Sequence, residues 1–309
     1  MNAPTVSVIL PTYHRAALLG RAIASVLTQS YRDLELIVVD DAGRPDPDTA
    51  AVVAGFADPR LRYLPPERNR GDAGARNRGI EQARGAWLAF QDSDDEWLPD
   101  KLALQMARLA ESPAAVAACG STLLRYVRGP GTVEVVRWPL NARGEVCPQR
   151  FLAGFTAFLQ SLVVRTERCR ALGGFNTEIK ARSDFEFCLR LLQEAPMVAV
   201  DLPLVLSHET PDSISGRADY RLHDIRRILA LHGERIRRQP AAEARYRYDL
   251  ARTLAMTGQT GPAAAELLRA LRRRPTQLRS WALLAALPLG ARRLQALAER
   301  RQRARGLAP

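Results

Sequence analysis

Three short apolar runs in the first hundred residues each lead into polar or acidic side chains. The runs cover residues 6–10, 34–39 and 86–90, and the first two are rich in β-branched residues. Stretches with helical spacing of apolar residues separate them, and this alternation predicts an α/β protein with a parallel, doubly wound sheet. Ligands of such sheets bind beyond the carboxyl ends of the strands. The ligand site is therefore expected at that edge.

The remaining elements are predicted from apolar periodicity and from turn residues. A helix is expected from Gly74 to Ala83, and Pro99 is a good first-turn residue for another. After Gly216 the pattern is helical to the end. Further short strands are predicted at residues 61–64, 132–138, 161–165, 198–200 and 204–206, and a further helix at residues 183–193.

Polar side chains follow three of the predicted strands. Thr12 and Tyr13 follow the first, Asp40 and Asp41 the second, and Asp92-Ser93-Asp94 the fourth. Clustered carboxylates repel one another, so a purely structural protein has little reason to collect them. A hard divalent cation such as Mg²⁺ or Mn²⁺ is held by one or two carboxylates together with the phosphates of its ligand. A charged turn that caps the next helix is the alternative.

Five segments, in this order, resemble those of the family 2 glycosyltransferases with the GT-A fold. The resemblance extends over about residues 4–216. The fold it implies is a doubly wound, Rossmann-like mixed sheet flanked by helices. The segments are residues 6–15, residues 35–41, residues 69–71 with 75–79, residues 90–95 with 98–102, and residues 173–176 with 183–186.

The resemblance implies an inverting transfer of a sugar from a nucleotide-diphosphate sugar, UDP-linked by default, to an acceptor hydroxyl. It implies Mn²⁺ or Mg²⁺ at Asp94 and Asp92, with His208 as a further candidate ligand. The implied acceptor is a glycan, a lipid-linked glycan or a protein, and the implied process is bacterial cell-surface glycan synthesis. The residues implied to bind the donor are Pro11, Thr12, Tyr13, Asp41, Arg70, Arg76, Asp92 and Ser93.

Asp184 is the implied general base. An inverting displacement needs one base on the face opposite the leaving group, and a carboxylate can serve. The alternative is a carboxylate that favours a helix start through the helix dipole. The family usually has an acid before this Asp, but here the residue is Ser183, for which Glu186 could compensate. The processive Gln-x-x-Arg-Trp motif is absent beyond the base, which predicts a non-processive enzyme.

The basic charge of the chain is confined to its C-terminal part. The whole chain has a net charge of +12, whereas residues 217–309 contain 21 arginines and 7 acidic residues. Residues 247–285 weakly resemble a tetratricopeptide repeat, so the sequence predicts an all-α, tetratricopeptide-like appendage over residues 217–309. Its charge and the amphipathic stretch from Tyr220 to Gln239 predict peripheral contact with an anionic membrane. Packing of the same stripe on the catalytic domain is the alternative.

The four cysteines show no metal-ligand spacing and indicate thiols in a reducing compartment. We found neither a signal peptide nor a run of roughly 20 apolar residues, and we expect a cytoplasmic protein, at most peripheral to the inner membrane. Nucleic acid is not an expected partner. The alternatives are a catalytically inactive glycosyltransferase-like scaffold, or a sugar-nucleotide-binding protein. A nucleotidyltransferase is disfavoured because no glycine-rich loop follows the first strand.

Overall fold

The computed structural model describes residues 3–126, 133–154, 157–208, 217–291 and 293. Within these ranges the chain is an α/β protein with a helical C-terminal part, as predicted. The strands are β1 (Val6–Thr12), β2 (Leu34–Asp40), β3 (Leu61–Leu64), β4 (Trp87–Phe90), β5 (Glu96–Trp97), β6 (Ala118–Tyr126), β7 (Val133–Val136), β8 (Val163–Arg165) and β9 (Met197–His208).

Helices connect these strands and form the C-terminal part. They are α1 (Ala16–Leu27), α2 (Pro47–Ala54), α3 (Gly71–Gln82), α4 (Lys101–Ala110), α5 (Pro148–Leu152), α6 (Thr166–Ala171), α7 (Ser183–Glu194), α8 (Ala218–Arg237), α9 (Pro240–Met256), α10 (Thr260–Arg273) and α11 (Leu278–Ala286).

One mixed sheet contains all of these strands, in the order β3-β2-β1-β4-β8-β6-β9-β5, with β7 beside β6. The four strands β3, β2, β1 and β4 are mutually parallel. Beyond them, β8 runs antiparallel to both β4 and β6. The parallel order predicted from the alternating strands and helices holds for this first half, and the sheet as a whole is mixed, as the resemblance implied. The parallel half places the carboxyl ends of β1, β2 and β4 along one edge.

Each face of the sheet is covered by its own hydrophobic cluster. Successive side chains of a strand point to opposite faces, so Ile9 and Ile37 lie in one cluster and Val8 and Leu36 in the other. All four side chains are fully buried. This two-sided burial explains why the sequence runs of these strands are almost continuously apolar.

Several strands differ from the predictions. β1 continues through Pro11 to Thr12, and these two residues pair with Val39 and Asp40 in the parallel ladder with β2. The two strands predicted at residues 198–200 and 204–206 are one strand, β9, whose pairing with β6 shifts register near Thr122. β6 itself was not predicted, since its first half is made of small residues. The predicted strand at 132–138 begins at a residue outside the described ranges.

The apolar stripe of α8 lies inside the protein. Ile228 and Ile236 belong to the cluster that covers one face of the sheet, and Ile225 belongs to a third cluster formed with α9 and α10. All three are fully buried. The prediction that this stripe faces a membrane is therefore wrong, because the chain covers it with its own helices. No helix in the described ranges has both the length and the apolar character that a bilayer span requires.

Candidate active site

The carboxyl ends of β1 and β2 bring Thr12, Asp40 and Asp41 side by side. Thr12 pairs with Asp40 across the ladder, and its carbonyl accepts a 2.9 Å hydrogen bond from the Asp41 backbone N–H. Thr12 is buried, and its Oγ1 has no hydrogen-bond partner among the described residues. Tyr13 follows with an exposed ring. A buried hydroxyl without a partner beside an exposed aromatic ring fits a site for a planar polar ligand such as a nucleotide base.

Asp41 holds the loop before α3 against the end of β2. Its Oδ1 accepts a 2.8 Å hydrogen bond from the backbone N–H of Arg70. Burial raises the pKa of Asp41, while the backbone N–H groups of Arg70 and Gly71 oppose that rise. The guanidinium of Arg70 pairs with exposed Glu67 at 3.0 Å. The structure thus places Asp41 and Arg70 together at the predicted nucleotide side.

The two outer aspartates of the Asp92-Ser93-Asp94 segment are both paired with arginines. Asp92 Oδ1 accepts a 2.8 Å bond from Arg76, and Asp94 Oδ2 accepts a 2.6 Å bond from Arg15. Ser93 between them is buried. Asp92 and Asp94 keep 30% and 14% of their side-chain surface exposed. Both carboxylates are therefore partly accessible to a ligand, and an arginine of the same chain balances the charge of each.

His208 lies beside this acidic turn, at the end of β9. Its backbone N–H donates to Asp95 Oδ1 at 2.9 Å, and its Nε2 lies 2.8 Å from Glu96 Oε1. The imidazole stacks on Tyr126, with ring centroids 5.3 Å apart. A carboxylate that holds one ring nitrogen fixes the orientation of a histidine.

Buried Asp95 connects this histidine to the core. Its Oδ2 accepts a 2.5 Å hydrogen bond from Gln160 Nε2. Burial and the charges of Asp92 and Asp94 raise its pKa well above the ordinary range. Asp95 thereby ties the acidic turn, β9 and residue 160 together.

Arg76 joins the donor side of the site to the side that contains Asp184. Its guanidinium is buried and contacts the carboxylates of Asp92 and Asp72. Ser183 Oγ donates to the same Asp72 oxygen at 3.4 Å. Burial opposes the charge of Arg76, but the Asp72 and Asp92 carboxylates raise its pKa. Its Nε has no hydrogen-bond partner within the described ranges, which leaves one buried donor in the site.

Asp184 stands in the first turn of α7. Its side chain is partly accessible to solvent, and its Oδ1 accepts a 2.6 Å bond from the backbone N–H of Phe185. Burial raises the pKa of Asp184 to about 7, against the opposing effect of the Phe185 N–H and the charges of Arg76 and Arg182. A carboxyl group with such a pKa can accept a proton near neutral pH.

Glu186 does not take the place of the missing acid at position 183. It is 1% exposed, and Arg190 and His232 hold its carboxylate at about 3.0 Å. Arg190 also donates to the carbonyls of Leu172 and Gly174. Glu186 therefore connects α7, α8 and the glycine loop, and it is not directed at a substrate.

A cavity of about 370 Å³ opens beside α3. Asn77 forms its inner wall and makes two hydrogen bonds with the backbone of Phe175, at 2.7 and 2.8 Å. The cavity thus lies between the Asp41 side of the site and the loop before α7. Its lining residues are Arg68, Asn69, Arg70, Gly74, Asn77, Glu81 and Thr177.

Three residues of the site were not singled out by sequence reasoning. Arg15 and Asp95 lie inside segments that carry the family resemblance, but their roles depend on partners that are distant in sequence. Asp72 had a local signal, because it precedes Arg76 by four residues and shares its helix face. Four-residue spacing of opposite charges is common on exposed helices, and the pattern alone does not distinguish a buried pair.

The fold and the site together define an α/β protein with an acidic centre at the carboxyl ends of its parallel strands. A profile of glycosyl transferase family 2 matches residues 7–139. The chain is 30% identical over 198 residues to the putative colanic acid biosynthesis glycosyl transferase WcaA of Escherichia coli K12, which covers 62% of this chain and 68% of WcaA. The chain belongs to the family 2 glycosyltransferases.

Two further similarities are informative. The chain is 38% identical over 112 residues to the UDP-Glc:alpha-D-GlcNAc-diphosphoundecaprenol beta-1,3-glucosyltransferase WfgD of Escherichia coli, which is 36% of this chain and 44% of WfgD. The match thus spans less than half of that relative. The structure of the mannosyltransferase PcManGT from Pyrobaculum calidifontis, in complex with GDP-Man and Mn²⁺, superposes with a TM-score of 0.58 at 23% identity. It covers 93% of this chain and 80% of PcManGT. The fold is GT-A, as the resemblance implied.

Proposed function

We propose that this protein is an inverting, metal-dependent glycosyltransferase. It transfers a sugar from a nucleotide-diphosphate sugar, by default a UDP-sugar, to an acceptor hydroxyl in bacterial cell-surface glycan synthesis. The observation that carries the proposal is the Asp92–Arg76–Asp72–Ser183 chain of contacts. It links the acidic turn at the end of β4 to the segment that contains Asp184. The donor side and the acceptor side of the site are thus connected through the buried guanidinium of Arg76.

Asp184 acts as the base in this proposal. The acceptor oxygen attacks the anomeric carbon, its proton passes to the Asp184 carboxylate, and the bond from that carbon to the diphosphate oxygen breaks. Attack from the face opposite the leaving group inverts the configuration. The pKa of about 7 keeps a useful fraction of Asp184 ionised at neutral pH while it remains basic enough to accept the proton.

The donor is held at the strand ends. Thr12 and Tyr13 with Asp41 form the base side, supported by Pro11, and Arg70 and Arg76 offer positive charge to the phosphates. Arg76 Nε is a buried donor without a partner within the described ranges, and it is available to an anionic ligand. These roles are proposals that rest on position, burial and charge.

Asp94 and Asp92 are the residues that would hold Mn²⁺ or Mg²⁺. His208, the third candidate from the sequence, has its Nε2 at 2.8 Å from Glu96 Oε1. When bound, the cation would supply positive charge for the departing diphosphate. The donor set fits, because one or two accessible carboxylates with phosphates and water are what Mg²⁺ prefers. Within the described ranges no cluster of three metal-ligating side chains exists. The remaining ligands would therefore come from the diphosphate and water.

We propose a lipid-linked acceptor, reached from the cytoplasmic side of the inner membrane. The relative WfgD is named for a diphosphoundecaprenol-linked acceptor. The buried stripe of α8 contributes nothing to membrane contact, but the surface near α11 exposes Leu278 and Trp281 beside Arg272 and Arg274. Exposed aromatic and basic groups together favour an anionic interface.

A screen of nucleotide sugars tests the proposed activity. The full chain is incubated with a panel of donors, with Mn²⁺ or Mg²⁺, and release of the nucleotide diphosphate is measured. We expect turnover of one donor class that stops with a chelator. If nucleotide sugars bind in calorimetry but none is turned over with any glycan or lipid-linked acceptor, the chain is the inactive scaffold or binding protein of the alternative.

A further inference from the structure

Helix α8 contacts both the loop that precedes the proposed base and the helix α7 that contains it. Arg227 forms an ion pair with Glu178, and His223 Nε2 lies 2.9 Å from the Glu178 carbonyl. Further along, Arg235 donates to the carbonyl of Leu189 at 3.0 Å. The loop and α7 are thus fixed from one side by a helix that belongs to the C-terminal part of the chain.

Asp224 is the buried centre of these contacts. Its side chain has no exposed surface. Its Oδ1 accepts the backbone N–H of Lys180 at 2.9 Å, and its Oδ2 accepts the backbone N–H of Ala181 at 2.7 Å. Both carboxylate oxygens are therefore used to fix two successive peptides, three and four residues before Asp184. Charge-assisted bonds of this kind are stronger than neutral ones.

A buried carboxylate costs free energy, so its two bonds must offset that cost. Water would satisfy the Lys180 and Ala181 N–H groups equally well if this loop were exposed. Instead, α8 covers the loop and removes that water, and Asp224 is the acceptor that replaces it. This arrangement restricts the loop conformation where the site must present Asp184 to the acceptor.

We infer that Asp224 is a positioning residue for glycosyl transfer, acting through the 180–181 peptides on Asp184. The inference rests on the proposed function and extends it to the C-terminal part of the chain. Helix α8 is then a part of the acceptor side of the catalytic unit, and the boundary predicted between residues 216 and 217 does not separate catalysis from the tail.

The variant Asp224→Asn tests this role. Its amide keeps the size of the side chain but presents an N–H₂ group to one of the two backbone donors. We expect kcat for transfer to fall about ten- to a hundredfold, because small displacements of a reacting group are costly. Nucleotide affinity should stay within about twofold, since no contact of Asp224 reaches the strand-end residues.

The pH profile separates positioning from a loss of folded protein. In the parent, the acid limb of the transfer rate reports Asp184, which faces Arg76, Arg182 and Asp72. A loosened loop would expose Asp184 to water, which would lower its pKa. Removal of the negative charge of Asp224 would also lower the pKa of Asp184. The acid limb should therefore move to lower pH. A smaller amount of folded enzyme lowers the rate at every pH and leaves the limb in place.

Two further variants complete the test. Arg227→Gln removes the surface contact to Glu178 and should reduce kcat about threefold, a smaller loss than in Asp224→Asn. The protein should remain folded. Glu234→Gln is the matched control on the same helix, because its carboxylate is 75% exposed and forms an ion pair with Arg238, one turn further along the helix. It should behave like the parent.

The outcomes distinguish this inference from the proposed function. A parent that transfers sugar, with an Asp224→Asn variant of equal kcat and equal pH profile, would overturn the inference alone. Equal losses in nucleotide affinity and in transfer would overturn it too, because they indicate general disruption. A well-folded parent that transfers no sugar would instead contradict the proposed function. Hydrogen exchange at Lys180 and Ala181, faster in Asp224→Asn, supports the loop contact independently of activity.

Discussion

At the scale of single residues, the carboxylates of the site differ in whether an arginine side chain pairs with them. Asp92 and Asp94 are paired with Arg76 and Arg15, whereas the pKa of Asp184 is raised by burial. The acidic groups of the site therefore lie in different environments. Such a difference is typical of sites that assign different roles to chemically identical groups.

Replacement of Asp94 by Ala is expected to reduce donor turnover by about a hundredfold or more, since it removes charge stabilisation of the leaving diphosphate. Initial rates with the donor identified in the screen measure the effect across a range of Mn²⁺ concentrations. Asp48→Ala, at an exposed site in the first turn of α2, is the control. Parent-level turnover of Asp94→Ala with an unchanged metal requirement would contradict the assignment.

The ionised Asp184 carboxylate should also lower the free energy of unfolding. Burial raises the pKa of Asp184 from 3.8 to about 7, so the folded state binds an additional proton between those pH values. Stability from this group is present below about pH 4 and is lost as pH rises through 7. Asp184→Asn should therefore be more stable than the parent at pH 8, by about 2 kcal/mol, half the full value because the side chain stays partly hydrated.

Urea unfolding at pH 4.5, 6 and 8 measures this difference. The gap between Asp184→Asn and the parent should shrink as pH falls, because the protonated acid and the amide are then similar in charge. A gap of the same size at every pH would show that the pKa of Asp184 is not raised in the folded state.

At the scale of secondary-structure elements, close packing of α3 on the sheet sets the position of Arg76. A Cβ atom built at Gly79 would lie 2.5 Å from Ile9 Cγ2 and 3.2 Å from Val39 Cγ2. Gly79→Ala should therefore displace the helix and destabilise the protein by about 1–3 kcal/mol. It should also weaken the Arg76–Asp92 contact, which lies one turn away on the same helix.

Gly20→Ala is the matched control for that experiment. Gly20 is also helical, but its nearest neighbour, Val52 Cγ1, would lie at an ordinary 3.8 Å. Its substitution should leave the urea midpoint unchanged or raise it, because alanine favours the helix. Equal midpoints for Gly79→Ala and the parent would contradict the close approach of α3 to β1.

The sequence predicted those elements whose residues alone determine their environment. β1, β2 and β4 are mostly apolar runs buried on both faces, and the polar residues after them mark the edge of the sheet. The loop at 173–176 and Asp184 entered through the family resemblance. The predicted fold is confirmed. The roles assigned to the individual site residues stay predictions.

The rest depended on contacts between distant segments. β6 begins with small residues whose pairing with β9 and β8 is not visible in its own pattern. The stripe of α8 was correctly predicted as amphipathic, but periodicity does not state which surface covers it. Asp224 had no local signal, because its two donors lie more than forty residues away.

At the scale of the whole molecule, the net positive charge lies in residues 217–309, after the acidic residues of the site in the sequence. Many tail arginines pair internally, including Arg247 with Glu243 and Glu266. Exposed Arg272 and Arg274 lie near Leu278 and Trp281, which are 79% and 51% exposed. We expect binding to anionic vesicles at low salt that falls at high salt, since each such arginine contributes about 1 kcal/mol.

Sedimentation with anionic and neutral vesicles measures this binding. The double variant Arg272→Glu with Arg274→Glu should lose it. Arg143→Glu with Arg168→Glu makes the same change in charge at exposed positions of the α/β part and should retain it. Equal, negligible binding of the parent to both vesicle types would leave this region as a packing or oligomerisation element.

The central claim is that Asp184 accepts the proton of the acceptor during an inverting transfer. The most direct measurement is the transfer rate of Asp184→Asn, with nucleotide affinity determined by calorimetry on the same preparation. The account predicts a nucleotide Kd within about twofold of the parent and transfer reduced at least about a hundredfold, because an amide cannot accept the proton. Transfer by Asp184→Asn at the parent rate would contradict the account.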